Sequence, residues 1–243
     1  LIKGIIFDLG GTLVDFSGDW HAVTRQGAEE MADWYLKKKH IKLDGPALVE
    51  AFVEERITNR IRAEESQNEI VTQQSLRNAL KKIAAPAAAE AVLEAAVKVY
   101  FGPEEAGWQP FADAHDTLQL LRHQGYRLGL YSNAPDDKSV QRLVNQAYLR
   151  PWLSPTFSSA AWGWRKPKRE PFDLIARRWG VPPEQIVVIG DTLNADILGA
   201  QNAGMASILV TMNEARSNEQ NRHIQPTTTA DRLSVLPDLV ARL

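Results

Sequence analysis

Cysteine is absent from the 243-residue chain. Disulfides, thiolate metal sites and a cysteine nucleophile are therefore excluded. Long apolar runs are missing as well; none approaches the ~20 residues that span a bilayer. An excess of charge of one sign is also missing. The 28 Lys and Arg face 30 Asp and Glu, for a net charge of −2, and the basic residues are dispersed. That pattern removes the electrostatic case for nucleic acid or an anionic membrane as partner. The five histidines show no metal-ligand spacing, and no signal peptide is expected, because the sequence runs straight into a strand. A cytoplasmic protein is expected. What is present, 44% hydrophobic and 24% charged residues, suits a globular protein with room for one core and an inserted second domain.

Two textures alternate along the chain. Short β-rich runs occur at Gly4–Asp8, Arg127–Ser132, Gln185–Gly190 and Ala206–Thr211, with a weaker one at Pro155–Ser158. Helical stretches separate them at about Ala112–Gln124, Asp137–Gln146, Pro171–Trp179 and Ala195–Ala203. Strand–helix alternation predicts an α/β, Rossmann-like, doubly wound parallel sheet, with its ligand beyond the carboxyl ends of the strands. Residues 17–107 differ. They lack strand signals and are rich in Ala, Glu, Lys, Leu and Arg, with turns at Asp44-Gly45-Pro46 and Ala85-Pro86. Ile57, Ile61 and Glu64, and again Leu76, Leu80 and Ile83, follow helical spacing, and Val92, Leu93 and Val97 give Ala84–Ala96 an apolar face. Lys37-Lys38-Lys39-His40 reads as the charged end of a helix. The prediction is a helical domain of four or five helices over 17–107, inserted into an α/β core formed by 1–16 and 108–243.

Four segments carry chemistry. Asp8 ends the first strand and is followed by Leu9-Gly10-Gly11-Thr12; Ser132-Asn133 ends the strand Arg127–Tyr131. Lys166 lies in a loop leading to Phe172; Gly190-Asp191-Thr192 ends another strand, with Asp196 early in the next helix. Three of the four fall at strand C-termini, where a parallel sheet places its site. The residue types suit phosphoryl transfer, which depends mostly on positioning and charge stabilisation. Asp8 and Asp191 can hold Mg²⁺, a hard cation that prefers oxygen. Lys166 offers a point charge to a phosphoryl oxygen, and Ser132-Asn133 offer a hydroxyl and N–H groups. Asp8 can then attack phosphorus and become an aspartyl-phosphate.

These motifs resemble the haloacid dehalogenase superfamily, in the branch (subfamily I, C1) with an α-helical cap inserted after the first motif. The resemblance rests on Asp8-Leu9-Gly10-Gly11-Thr12-Leu13-Val14-Asp15, Tyr131-Ser132-Asn133, Gly163-Trp164-Arg165-Lys166-Pro167 with Phe172, and Gly190-Asp191-Thr192-Leu193-Asn194-Ala195-Asp196 running into Gly199-Ala200 and Ala203-Gly204-Met205. It covers nearly the whole chain. It implies Asp8 as nucleophile, Lys166 and Ser132 as phosphate ligands, and Asp191 as a Mg²⁺ ligand. Asp196 is implied to support the metal indirectly, and the backbone carbonyl of Gly10 to be a further ligand. Gly10 and Asn133 complete the expected phosphate site. The pattern at Lys166-Pro167 and the spacing to Phe172 select Lys166 over Lys168.

Gly10 departs from that family pattern, because phosphatases of the family carry there a second aspartate that acts as acid and base. Its loss removes a group typically worth about 10²–10⁴-fold in rate, least for leaving groups that need little protonation. The expected activity is Mg²⁺-dependent hydrolysis of a small phosphorylated metabolite. Two alternatives stand beside it: a phosphate-ligand binding or regulatory protein with little catalysis, and a metal-independent haloacid dehalogenase. Asp15 is expected to cap the following turn, and His21 is a remote substitute acid. Trp162 and Trp164 either line a pocket or pack, and Arg56, Arg60 and Arg62 read as a solvated helix face. Substrate identity and oligomeric state are not encoded in these motifs.

Overall fold

The computed structural model describes residues 1–39, 43–212 and 216–243. In chain order its elements are β1 (Gly4–Phe7), β2 (Val14–Phe16), α1 (Trp20–Lys39), α2 (Gly45–Ser66), α3 (Thr72–Lys82), α4 (Glu90–Gly107), β3 (Trp108–Pro110), α5 (Ala114–His123), β4 (Arg127–Ser132), α6 (Asp137–Gln146), β5 (Thr156–Ser158), α7 (Ser159–Trp162), α8 (Glu170–Trp179), β6 (Ile186–Gly190), α9 (Leu198–Ala203), β7 (Ala206–Val210), β8 (Thr228–Ala230) and α10 (Leu236–Ala241). A π-helical turn, Leu193–Ile197, precedes α9, and a 3-10 turn, Arg216–Asn221, follows β7. The chain divides into two compact units, one of residues 1–16 with 109–243 and one of 17–108.

The first unit holds a six-stranded parallel sheet in the order β5-β4-β1-β6-β7-β8. This is an α/β, Rossmann-like fold. Helices cover the sheet, so its central strands are apolar on both faces. Ile5, Ile6 and Phe7 of β1 and Ile186, Val187, Val188 and Ile189 of β6 are all buried. The chain passes from β1 to β4 and β5 on one side, then crosses to β6 on the other. The carboxyl end of β1 therefore stands at the switch point where parallel sheets bind ligands. The short β2 and β3 pair with one another where the chain leaves this unit and returns.

The second unit is α1–α4, packed around Met31, Tyr35, Leu48, Phe52, Leu76 and Leu93. Phe52 and Phe101 each meet Tyr100 edge to face, at 4.9 and 4.8 Å between centroids. Asp44 starts α2 by accepting the Ala47 N–H at 3.1 Å, with Pro46 in the first turn. The buried Asn59 donates to Ser75 at 3.0 Å and ties α2 to α3. Among the described residues, no helix is long and apolar enough to cross a membrane.

Several local expectations change. Ala84–Ala89 is irregular, and α4 begins only at Glu90, six residues into the stretch with an apolar face. Ile57 and Ile61 are on α2, but they are exposed; the buried stripe of that helix runs through Leu48, Phe52, Asn59 and Ala63 instead. Asp15 lies within β2 rather than capping a turn. The lysine run does end α1, at Lys39; His40 lies outside the described residues.

Candidate active site

Asp8 follows β1 directly, and its N–H donates to the Ile189 carbonyl of β6 at 2.9 Å. The chain then turns at once. The N–H groups of Leu13 and Val14 return to the Leu9 carbonyl at 2.8 and 3.0 Å, and Gly10 bridges to Val14. Gly11 makes the turn possible with φ +78°, a left-handed conformation that glycine adopts without strain. A side chain there would also collide with Asp191, whose Oδ2 lies 2.5 Å from the position of a Cβ.

Lys166 comes from the loop before α8, and its ammonium is buried. It donates to Asp8 Oδ1 at 2.5 Å, to Asp196 Oδ1 at 2.6 Å and to the Tyr131 carbonyl at 3.0 Å. All three of its protons are thereby used. Burial alone would push this ammonium toward neutrality, but Asp196 and Asp8 outweigh that and hold its pKa above the ordinary lysine value. Lys166, not Lys168, therefore supplies the cation that meets Asp8.

The loop is held in place by residues that read differently in the sequence. The Asn133 side chain accepts the Lys166 N–H at 2.8 Å and donates to the Lys166 carbonyl at 3.0 Å. Its carboxamide thus clamps the lysine loop by one accepting and one donating contact. The Tyr131 hydroxyl donates to the Trp164 carbonyl at 2.6 Å, a contact that no spacing in the sequence announces. Ser132 ends β4, next to the Tyr131 carbonyl that holds Lys166, and is nearly buried. Trp162, which stays exposed, meets Phe157 edge to face at 5.3 Å.

Asp191 follows β6, and Asp196 sits in the π-helical turn. Such turns often occur at functional sites. Here the Thr192 carbonyl accepts from Asp196 at 2.9 Å and also faces the Ala195 and Ile197 N–H groups at 3.4 Å, where the sequence pattern predicted plain α-helix. Asp196 Oδ2 accepts the Thr192 N–H at 3.1 Å, so both of its oxygens are engaged. Its fit depends on Gly190, where a Cβ would lie 2.1 Å from Asp196 Cγ.

Asp8, Asp191 and Asp196 each bring a carboxylate oxygen within 4.8 Å of the others. Three carboxylates around one ammonium leave two surplus negative charges when all are ionised. Burial first, and then Asp8 and Asp196, push the Asp191 carboxyl up to about 8. Burial also raises Asp196, to about 6, although Lys166 pulls it back. An all-oxygen donor set with excess negative charge is the chemistry that a hard divalent cation neutralises. His21 belongs to the other unit, where it is exposed at the start of α1.

Residues 2–204 match the haloacid dehalogenase-like hydrolases. The chain belongs to that family and is a hydrolase. Over 242 residues it is 27% identical to a glyceraldehyde 3-phosphate phosphatase of Methanothermobacter thermautotrophicus, a match that spans 99% of this chain and 100% of that protein. It is 28% identical over 221 residues to a phosphoglycolate phosphatase of Salmonella typhi, covering 86% of this chain and 81% of that one. Among solved structures it is similar to a 2-haloacid dehalogenase from Pseudomonas syringae pv. Tomato DC3000, with 25% identity, a TM-score of 0.70, and coverage of 100% of this chain and 99% of that one.

Proposed function

We propose that the protein is a Mg²⁺-dependent phosphatase of a small phosphorylated metabolite, working through Asp8. The convergence of the Asp8, Asp191 and Asp196 carboxylates within 4.8 Å of one another carries this reading, with support from the phosphatase relatives. Asp8 and Asp191 would hold the cation, together with the Gly10 carbonyl. When bound, Mg²⁺ supplies charge stabilisation to the phosphoryl oxygens. Asp196 has both oxygens committed to Lys166 and Thr192, so its part is to hold the lysine ammonium beside Asp8. An Asp8 carboxylate oxygen attacks phosphorus and the ester P–O bond breaks, leaving an aspartyl-phosphate. The departing oxygen takes its proton from solvent, since residue 10 has no side chain. Water then attacks the phosphorus, releases phosphate and restores the Asp8 carboxylate. Ser132 and the backbone at Asn133 would hold the phosphoryl oxygens, and Lys166, whose three protons are already used, would add its positive charge beside them. We assign the choice of substrate to the inserted helical unit, read as a subfamily I cap.

A dehalogenase reading draws on the Pseudomonas structure and on Gly10. Displacing halide with the same Asp8 requires no cation, however, and it leaves Asp191 without a task. One experiment separates the two readings. Hydrolysis of p-nitrophenyl phosphate is expected to require Mg²⁺ and to vanish in Asp8→Asn with the fold intact by circular dichroism. Full activity in Asp8→Asn removes the nucleophile, and chelator-insensitive release of halide from a 2-haloacid replaces the phosphatase reading with the dehalogenase one.

A further inference from the structure

Asn218 is far in sequence from every motif of the site. It stands on the 3-10 turn Arg216–Asn221, and its carboxamide reaches the loop after β6. Its Oδ1 accepts the Leu193 N–H at 2.8 Å, and its Nδ2 donates to the Asp191 carbonyl at 2.8 Å. The two bonds grip the backbone on either side of Thr192. The Leu193 N–H begins the π-helical turn, where a donor has no partner within the helix. Apolar contact backs the same junction, because Leu193 and Ile197 pack with Ile224. The Ile224 N–H in turn donates to the Asn221 carbonyl at 2.9 Å. Tolerance at the other end is small, since Asp191 Oδ2 passes so close to Gly11 that no Cβ fits there.

We propose that Asn218 is a positioning residue that fixes the Asp191 carboxylate for its cation. This rests on the cation reading above. A segment some 25 residues downstream thereby sets the geometry of the loop, through one planar group that donates at one end and accepts at the other. Replacing Asn218 by Ala leaves the Asp191 carbonyl and the Leu193 N–H without these partners. Asn218→Asp keeps an acceptor for Leu193 but sets a carboxylate oxygen against the Asp191 carbonyl.

The test is titration with Mn²⁺ alone, with free ion followed by electron paramagnetic resonance. Supporting residues behind metal ligands typically affect affinity by about 10–100-fold, and both Asn218 variants are expected to weaken binding by that order. Turnover should recover at saturating Mg²⁺, which a general loss of structure would not allow. Glu219→Ala, an exposed change on the same turn, should bind as wild type does. Should Asn218→Ala fail to fold, Asn218→Asp carries the comparison, with its thermal melt as the check. Wild-type Mn²⁺ affinity in the folded variants overturns the role of Asn218 and leaves the cation reading standing. No Mn²⁺ uptake by the wild-type protein overturns the cation reading and this assignment with it.

Discussion

Gly190→Ala adds one methyl group at the point where the site has no room. The new Cβ would stand 2.1 Å from Asp196 Cγ and 2.4 Å from its Oδ2. Carbon atoms pack at about 3.5–4.0 Å, so the carboxylate has to move by roughly 1.5 Å. The Lys166–Asp196 bond at 2.6 Å cannot survive that shift, and the Thr192 N–H bond at 3.1 Å lengthens with it. Asp196 is 1% exposed, so water cannot take over. Overpacking costs about 1–3 kcal/mol, and breaking a buried ion pair about 3–5 kcal/mol. These overlap here, since a single displacement causes both, and a loss of about 3–5 kcal/mol is expected. Lys166 then keeps Asp8 and the Tyr131 carbonyl but drifts from its place, and misplacement by about 1 Å can cost on the order of 10²-fold in rate.

Urea unfolding followed by circular dichroism measures the first effect, and Mg²⁺-dependent hydrolysis of p-nitrophenyl phosphate the second. The cause is isolated by a double-mutant cycle. In an Asp196→Gly background no side chain opposes the new methyl, so Gly190→Ala should there cost little in stability. Unchanged urea midpoint and turnover in the single variant would refute the steric argument. So would an equal loss in both backgrounds.

Two further changes test other parts of the molecule. Burial pushes Glu104, half-buried in α4, up to about 7 from 4.5, against the opposing pull of Arg56 and Trp108. A raised carboxyl means that the folded chain binds the proton more tightly, so stability is lost as pH rises from about 4.5 through about 7. Glu104→Gln should therefore melt above wild type at pH 8 and converge with it near pH 4.5, and parallel melting curves would contradict this. Gly10→Asp should raise Mg²⁺-dependent turnover of alkyl phosphates by up to about 10²–10⁴-fold, and that of aryl phosphates far less, because their leaving groups need little protonation. Equal gains on both substrate classes would count against the missing acid.

The parts of the site legible in the sequence are those where a buried strand ends in a polar residue. Ile5-Ile6-Phe7-Asp8 and Ile186–Gly190 followed by Asp191 read directly, because a strand covered on both faces must be apolar until it reaches the site. The Arg127–Ser132 strand reads to the residue for the same reason, and the Asp137–Gln146 helix from the helical spacing of Val140, Leu143 and Val144. The brief, partly polar β8 left no such trace. Neither did Asn133 gripping Lys166, 33 residues away, nor Asn218 gripping Asp191 and Leu193. Those contacts join a side chain to a distant backbone, and backbone groups are the same in every residue. Sequence can name Asn133 as a polar residue at a strand end, but not which atoms it meets.

The glycines of the site separate two properties that the sequence joins in one motif. Gly10 has a backbone outside the left-handed region, so the backbone there does not demand glycine. Gly11 and Gly190 instead create space, the first for Asp191 and the second for Asp196. The crowded carboxylates and their lysine therefore do not depend on which side chain stands at position 10. Phosphoryl transfer depends on charge stabilisation more than on proton transfer. On the phosphatase reading proposed above, such a site would still hold an anion and a cation while its rate becomes sensitive to the leaving group. Activity is then expected to rise steeply as leaving-group pKa falls, and that slope, measured across a series of aryl phosphates, should be steeper than in Gly10→Asp.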